Sequence, residues 1–128
     1  MVNLLKIAVY LYTAFIASIC LMPMPHISDA PEDSDKVVHL LAYAVFVSLW
    51  FLFFYVLKQK KDNFSRALIK SCSLALIYGI IIEILQGELT TSRSADFKDV
   101  LANSVGILIG ILIVFLAKPQ LNALKSKL

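Results

Sequence analysis

Four long apolar stretches alternate with short polar segments along the chain. Ile7 to Met24 and Val100 to Ala117 carry no charge. Val37 to Leu57 is uncharged apart from His39 when it is protonated. Ala67 to Gly87 carries only Lys70 near one end and Glu83 near the other. Each stretch has about the length that crosses ~30 Å of hydrocarbon as a helix. A helix is required there, because lipid gives the backbone no hydrogen-bond partner. The pattern therefore predicts an all-α membrane protein over residues 1–128, a bundle of four transmembrane helices. Polar segments 25–36, 58–66 and 88–99 join the spans. A basic tail, 118–128, follows, and Pro119 near its start is expected to interrupt any continuing helix.

Composition supports this reading. Of the 128 residues, 59% are hydrophobic and 16% charged, against ~25% charged in an ordinary soluble domain. Mean hydropathy is +0.80. The net charge of +3 does not gather into one basic patch. The basic residues flank the apolar stretches, and neither a phosphate-binding loop nor a nucleic-acid motif is present. The expected partner is the lipid bilayer, with no nucleic acid.

Charge also sets the orientation. Nine basic residues lie on one side: Lys6, Lys58, Lys60, Lys61, Arg66, Lys70, Lys118, Lys125 and Lys127. Three lie on the other: Lys36, Arg93 and Lys98. The positive-inside rule then places both termini in the cytoplasm of a plasma or inner membrane. The rival for the N-terminus is a cleaved signal peptide, with Lys6 before an apolar run. That run is long for the role, and Pro31 follows the best small-residue site, Ser28-Asp29-Ala30. Cys20 and Cys72 are predicted at opposite bilayer depths, which argues against a bridge between them.

Three spans place polar groups near the outer end. Asp35, His39 and Tyr43 are spaced i, i+4, i+8, with Lys36 beside them at the mouth of the second span. Gly79, Glu83 and Gln86 share a face of the third. Asp96, Asp99, Asn103, Gly106 and Gly110 form one stripe on the fourth, polar above and glycine below. Converging, these faces would make an outward polar pocket. Arg93, in the preceding loop, could pair with Glu83, Asp96 or Asp99.

Each residue carries a plainer alternative. A carboxyl within an apolar stretch costs ~2.5–3.5 kcal/mol on insertion scales, which marks Glu83 as functional unless it hydrogen-bonds His39 or Asn103 to join helices. His39 reads as a general base, a metal ligand or a hydrogen-bonded structural residue. Asp35 and Asp96 sit at helix starts, where carboxylates cap free N–H groups. Asp99 shares a face with Asn103, which favours the pocket. The candidates for chemistry are His39, Glu83 and Asp99. No HExxH or Cys/His cluster supports a metal, and no cofactor is expected. The GILIG step of Gly106 and Gly110 permits close helix packing, either within the chain or in a homo-oligomer.

The ordered set resembles the VanZ-like family: Asp35-Lys36-x-x-His39-x-x-x-Tyr43, Gly79-x-x-x-Glu83-x-x-Gln86, and Arg93-Ser94-x-Asp96-x-x-Asp99-x-x-x-Asn103-x-x-Gly106-x-x-x-Gly110. The resemblance runs from Pro23 to the fourth span and implies a minimal domain with nothing fused. It also implies that the family's polar positions fall on Asp35, Lys36, His39, Tyr43, Glu83, Gln86, Arg93, Asp96, Asp99 and Asn103. The family's namesake lowers susceptibility to teicoplanin, a glycopeptide with a lipid tail, and no reaction is established for the family. Two main functions are expected from this. One is an envelope protein whose pocket engages a lipid-linked cell-wall precursor, a lipid headgroup or a lipidated antibiotic. The other is a membrane-embedded enzyme modifying such a molecule. A proton-coupled carrier ranks last, because no charged residue except Lys70 lines an inner path.

Overall fold

The computed structural model describes residues 2–22, 34–57, 63–90 and 95–127. Its elements are α1 (Val2–Leu21), α2 (Ser34–Leu52) continued by a π-helical turn (Phe53–Leu57), α3 (Phe64–Leu89), α4 (Phe97–Leu116) and α5 (Lys118–Lys127). Among the described residues, four helices are long and apolar enough to span a membrane. This matches the four apolar stretches, with shifted ends. α1 starts at Val2 rather than Ile7, because Val2, Leu4 and Leu5 extend the apolar run and a helix tolerates the charge of Lys6 near its start. α3 runs past both its expected limits, taking in Glu88, which the sequence placed in a loop.

Local signals set several boundaries. Asn63 caps α3, its side chain accepting from the Arg66 N–H at 2.9 Å. Asp96 caps α4 in the same way, accepting from the Lys98 N–H at 2.9 Å. Both satisfy N–H groups that a first turn leaves open. α4 ends at a turn at Ala117, and Pro119 then falls in the first turn of α5. Proline is tolerated there because that N–H has no helical partner. Pro119 thus marks an interruption, as the sequence suggested, but the basic tail beyond it is itself helical.

α2 and α4 pair most extensively, and glycine is the reason. A β-carbon on Gly106 would overlap the Leu40 carbonyl oxygen and lie 3.0 Å from its carbon. One on Gly110 would come within 2.8 Å of the Ala44 carbonyl oxygen. Leu40 and Ala44 are one turn apart on α2, as Gly106 and Gly110 are on α4. The two backbones therefore touch along a shared strip, the small-residue contact common in membrane helices. The GILIG step is used within the chain.

α1 is held by hydroxyls as well as apolar packing. The Tyr12 hydroxyl donates to the Ala42 carbonyl at 2.8 Å. The Tyr78 hydroxyl donates to the Thr13 carbonyl at 2.5 Å, and the Trp50 indole N–H to the Thr13 hydroxyl at 3.2 Å. Apolar surface gains nothing by leaving lipid for a neighbouring helix, so such bonds and tight packing carry association. A core of Ile16, Tyr43, Phe46, Val47, Ala75, Ile82 and Ile107 fills the middle of the bundle.

A second cluster closes the end that holds both termini. Phe51, Tyr55, Ala67, Val114 and Leu121 are buried together. The π-helical turn carries Tyr55, whose hydroxyl donates to Asn122 on α5 at 2.5 Å. Lys118 lies over the Phe64 ring at 4.8 Å and Lys125 over Tyr55 at 4.1 Å. Ammonium groups over ring faces are attracted by the ring quadrupole, so α5 lies against the bundle rather than trailing from it. Cys20 near the end of α1 and Cys72 near the start of α3 form no disulfide with each other.

Candidate functional site

The start of α2, the end of α3 and the start of α4 lie at the same end of the bundle, opposite α5. The polar stripes of those three helices meet there. His39, Glu83, Gln86, Asp99 and Asn103 are all buried, and Tyr43 has no exposure at all. The convergence expected from spacing is therefore present for the described residues. Arg93 lies outside them.

His39 and Asn103 form the centre. His39 Nδ1 lies 3.1 Å from Asn103 Oδ1. An amide oxygen only accepts, so Nδ1 carries a proton in this bond, and the neutral form of the imidazole keeps a lone pair on Nε2. The Asn103 amide nitrogen points toward α3, where a β-carbon on Gly79 would stand 3.2 Å from it and 3.4 Å from the Tyr43 hydroxyl. Gly79 thus leaves space where α2, α3 and α4 come together.

Glu83 links α3 to α4 by a bond that residue spacing did not reveal. Its Oε1 accepts from the Asp96 backbone N–H at 2.5 Å. Asp96 is the α4 cap, so one carboxylate from α3 meets the positive end of the α4 dipole while the Asp96 side chain meets the next free N–H. Of the alternatives set out for Glu83, helix joining is thus realised, through a backbone partner instead of His39 or Asn103. One oxygen does this. The other, Oε2, is buried with no hydrogen-bond partner among the described residues.

Lys36 sits over the start of α4. Its Nζ is 3.7 Å from Asp35, from Asp96 and from Asp99. That separation is an ion pair without a close hydrogen bond. Among the described residues, Asp99 Oδ1 is buried and lacks a hydrogen-bond partner, as does the Tyr43 hydroxyl. Leaving such a group unmet costs ~1–3 kcal/mol. Three helices each contribute one of these atoms: Tyr43 from α2, Glu83 from α3 and Asp99 from α4.

Gln86 plays a different part from the others. Its amide donates to the Cys20 carbonyl at 2.9 Å, fastening α3 to the end of α1. Asp35 remains partly exposed, its side chain 47% accessible. Beside it, an apolar groove of about 130 Å³ runs between α1 and α2. Phe15, Ile16, Ile19, Val38 and Ala42 line it, with Asp35, His39 and Tyr43 along its polar side. The groove gave no sequence signal, because it depends on how far apart two lipid-facing helices stand. Among the described residues, no three His, Cys, Asp or Glu side chains are placed to hold a metal ion.

A family model described as VanZ/LLP1 matches residues 9–118. That stretch contains every residue of the site. No curated protein and no solved structure matches the chain significantly.

Proposed function

From the premise that this chain belongs to the VanZ/LLP1 family of membrane proteins, we propose that it acts in the cell envelope by binding the polar head of a lipid-linked molecule. The polar site is the binding pocket. The observation that carries this reading is the set of three buried, unmet polar atoms, Tyr43 Oη, Glu83 Oε2 and Asp99 Oδ1, around one histidine–asparagine pair. Helix joining alone accounts for Glu83 Oε1, but it gives no reason to bury these three. The excess of lysine and arginine beside the opposite ends of the spans supports cytoplasmic termini, and hence a site at the outer face. Ligands of that description include cell-wall precursors, lipid headgroups and lipidated glycopeptides such as teicoplanin.

The test is the teicoplanin susceptibility of a sensitive Gram-positive host carrying either wild-type protein or Glu83→Gln at matched membrane levels. Glutamine keeps the oxygen that caps α4 and changes the unmet one. Lowered susceptibility with wild type, lost in the mutant, is the expected result. Equal protection by both sinks the pocket reading. No effect from either separates this chain from glycopeptides and moves the search to envelope lipids.

A second reading follows from the lone pair that neutral His39 keeps on Nε2 when Nδ1 donates to Asn103. It makes His39 a general base in a membrane-embedded enzyme acting on the same class of molecule. Its mark is a covalently altered lipid or precursor, present with wild type and absent with His39→Gln.

A further inference from the structure

We infer that the groove between α1 and α2 seats one fatty-acyl chain of an ammonium-bearing glycerophospholipid, whose amine enters the carboxylate cluster at the groove's polar end. The inference rests on the headgroup reading above and names its ligand class.

The groove and the polar site share walls. His39 and Tyr43 line the groove while also facing Asn103 and Gly79. From Asp35 to Tyr43 on α2, and from Tyr12 to Cys20 on α1, the lining spans two helical turns. At 1.5 Å per residue that is about 12 Å. One leaflet's hydrocarbon is about 15 Å deep, half of the ~30 Å core. An acyl chain that starts beside Asp35 and runs down the groove is therefore at its natural depth in the bilayer.

The head of the ligand follows from what the polar site lacks. Glu83 Oε2 and Asp99 Oδ1 are carboxyl oxygens, which in their ionised form only accept. They call for a donor. Asp35, Asp96 and Asp99 share Lys36 at 3.7 Å, too long for a strong charge-assisted bond. A primary ammonium brings three N–H donors and a positive charge. A lone anion would meet like charge. Tyr43 Oη, fully buried and unmet, accepts or donates as the ligand requires.

The bilayer makes this division of roles necessary. A lipid tail is as apolar as the leucine surface it would touch, so a groove gains little by exchanging one tail for another. The chain fixes position and the head discriminates. A lipid with the same chains and no amine fits the groove and leaves the carboxylates unmet.

The purified protein in detergent is titrated with dioleoyl phosphatidylethanolamine and, separately, dioleoyl phosphatidylglycerol, and bound lipid is read by native mass spectrometry. Wild type is expected to retain the ethanolamine lipid at least tenfold more tightly. Val38→Trp on the exposed rim and Ala42→Phe in the wall should each weaken its retention at least fivefold, with thermal unfolding near wild type. Asp99→Asn should shrink the preference between lipids. Equal retention of both lipids by wild type overturns the inference, and needs no variant to fold. Groove variants that keep the ethanolamine lipid as wild type does overturn it as well. The pocket reading stands or falls separately, on the susceptibility of cells carrying Glu83→Gln.

Discussion

Placing a single methyl group at Gly106 tests the packing on which the site depends. In Gly106→Ala the β-carbon would lie 3.0 Å from the Leu40 carbonyl carbon and 3.1 Å from its Cα. The optimum for carbon pairs is ~3.5–4.0 Å, and the β-carbon would also overlap the Leu40 carbonyl oxygen, so the axes of α2 and α4 must part by roughly 1 Å or more. These are backbone atoms, and no rotamer change relieves them. Overpacking of this kind costs about 1–3 kcal/mol. The same movement stretches the His39–Asn103 bond from 3.1 Å beyond useful length. An interhelical hydrogen bond in a membrane protein averages about 0.6 kcal/mol. Against this, alanine is better than glycine within a helix by about 0.5–1 kcal/mol. The net expectation is a loss of roughly 0.5–3 kcal/mol from these terms. Gly79→Ala is the control. Its β-carbon would meet side-chain atoms of Asn103 and Tyr43 at 3.2 Å, and those can give. Its helical gain should offset most of its strain, within about 1 kcal/mol of wild type. Reversible unfolding in mixed micelles, titrated with a denaturing detergent, measures both. Gly106→Ala as stable as wild type, or less damaging than Gly79→Ala, would refute the close-contact reasoning.

Other predictions concern single contacts. Glu83→Ala removes the acceptor for the Asp96 N–H and should destabilise by about 1–3 kcal/mol, whereas Glu83→Gln keeps that acceptor and should unfold close to wild type; the order is read by the same titration. Tyr55→Phe deletes the bond to Asn122 and should make α5 more readily cut by trypsin after Lys125, followed by mass spectrometry, with little change in global stability. In a cysteine-free background, Ser126→Cys should react with a membrane-impermeant maleimide only after cells are permeabilised, and Glu88→Cys should react in intact cells. The reverse labelling would invert the topology and move the site to the cytoplasmic face.

Much of the fold was legible because a bilayer restricts the choices. Uncharged stretches of this length have one stable form in lipid, so Val37–Leu57 and Val100–Ala117 declared their helices directly. Helical spacing also brought out His39, Asn103 and Asp99, since residues three or four apart share a face whatever that face meets. What spacing does not carry is the partner. The Glu83 bond runs to a backbone N–H, which every residue but proline has, so nothing in the identity of Asp96 announces it. Gln86 shared a stripe with Glu83 yet turned to the Cys20 carbonyl, again a backbone group. The α1 contacts through Thr13, Tyr12 and Tyr78 were hidden for the same reason. α5 was missed because its helix is short and polar, held by Leu121 and by ring contacts from distant residues.

The pairing of α2 with α4 also has a consequence in time. His39 and its partner Asn103 are 64 residues apart, and chains grow at ~5–20 residues per second. A nascent α2 therefore waits roughly 3–13 seconds at that rate before the helix that completes it has been made. Throughout that interval an imidazole and the strip of α2 that Gly106 and Gly110 later cover face lipid or whatever shields them. Biogenesis of this small bundle is thus constrained by the order of its helices, and an insertion machinery that holds α2 aside until α4 arrives would suit it.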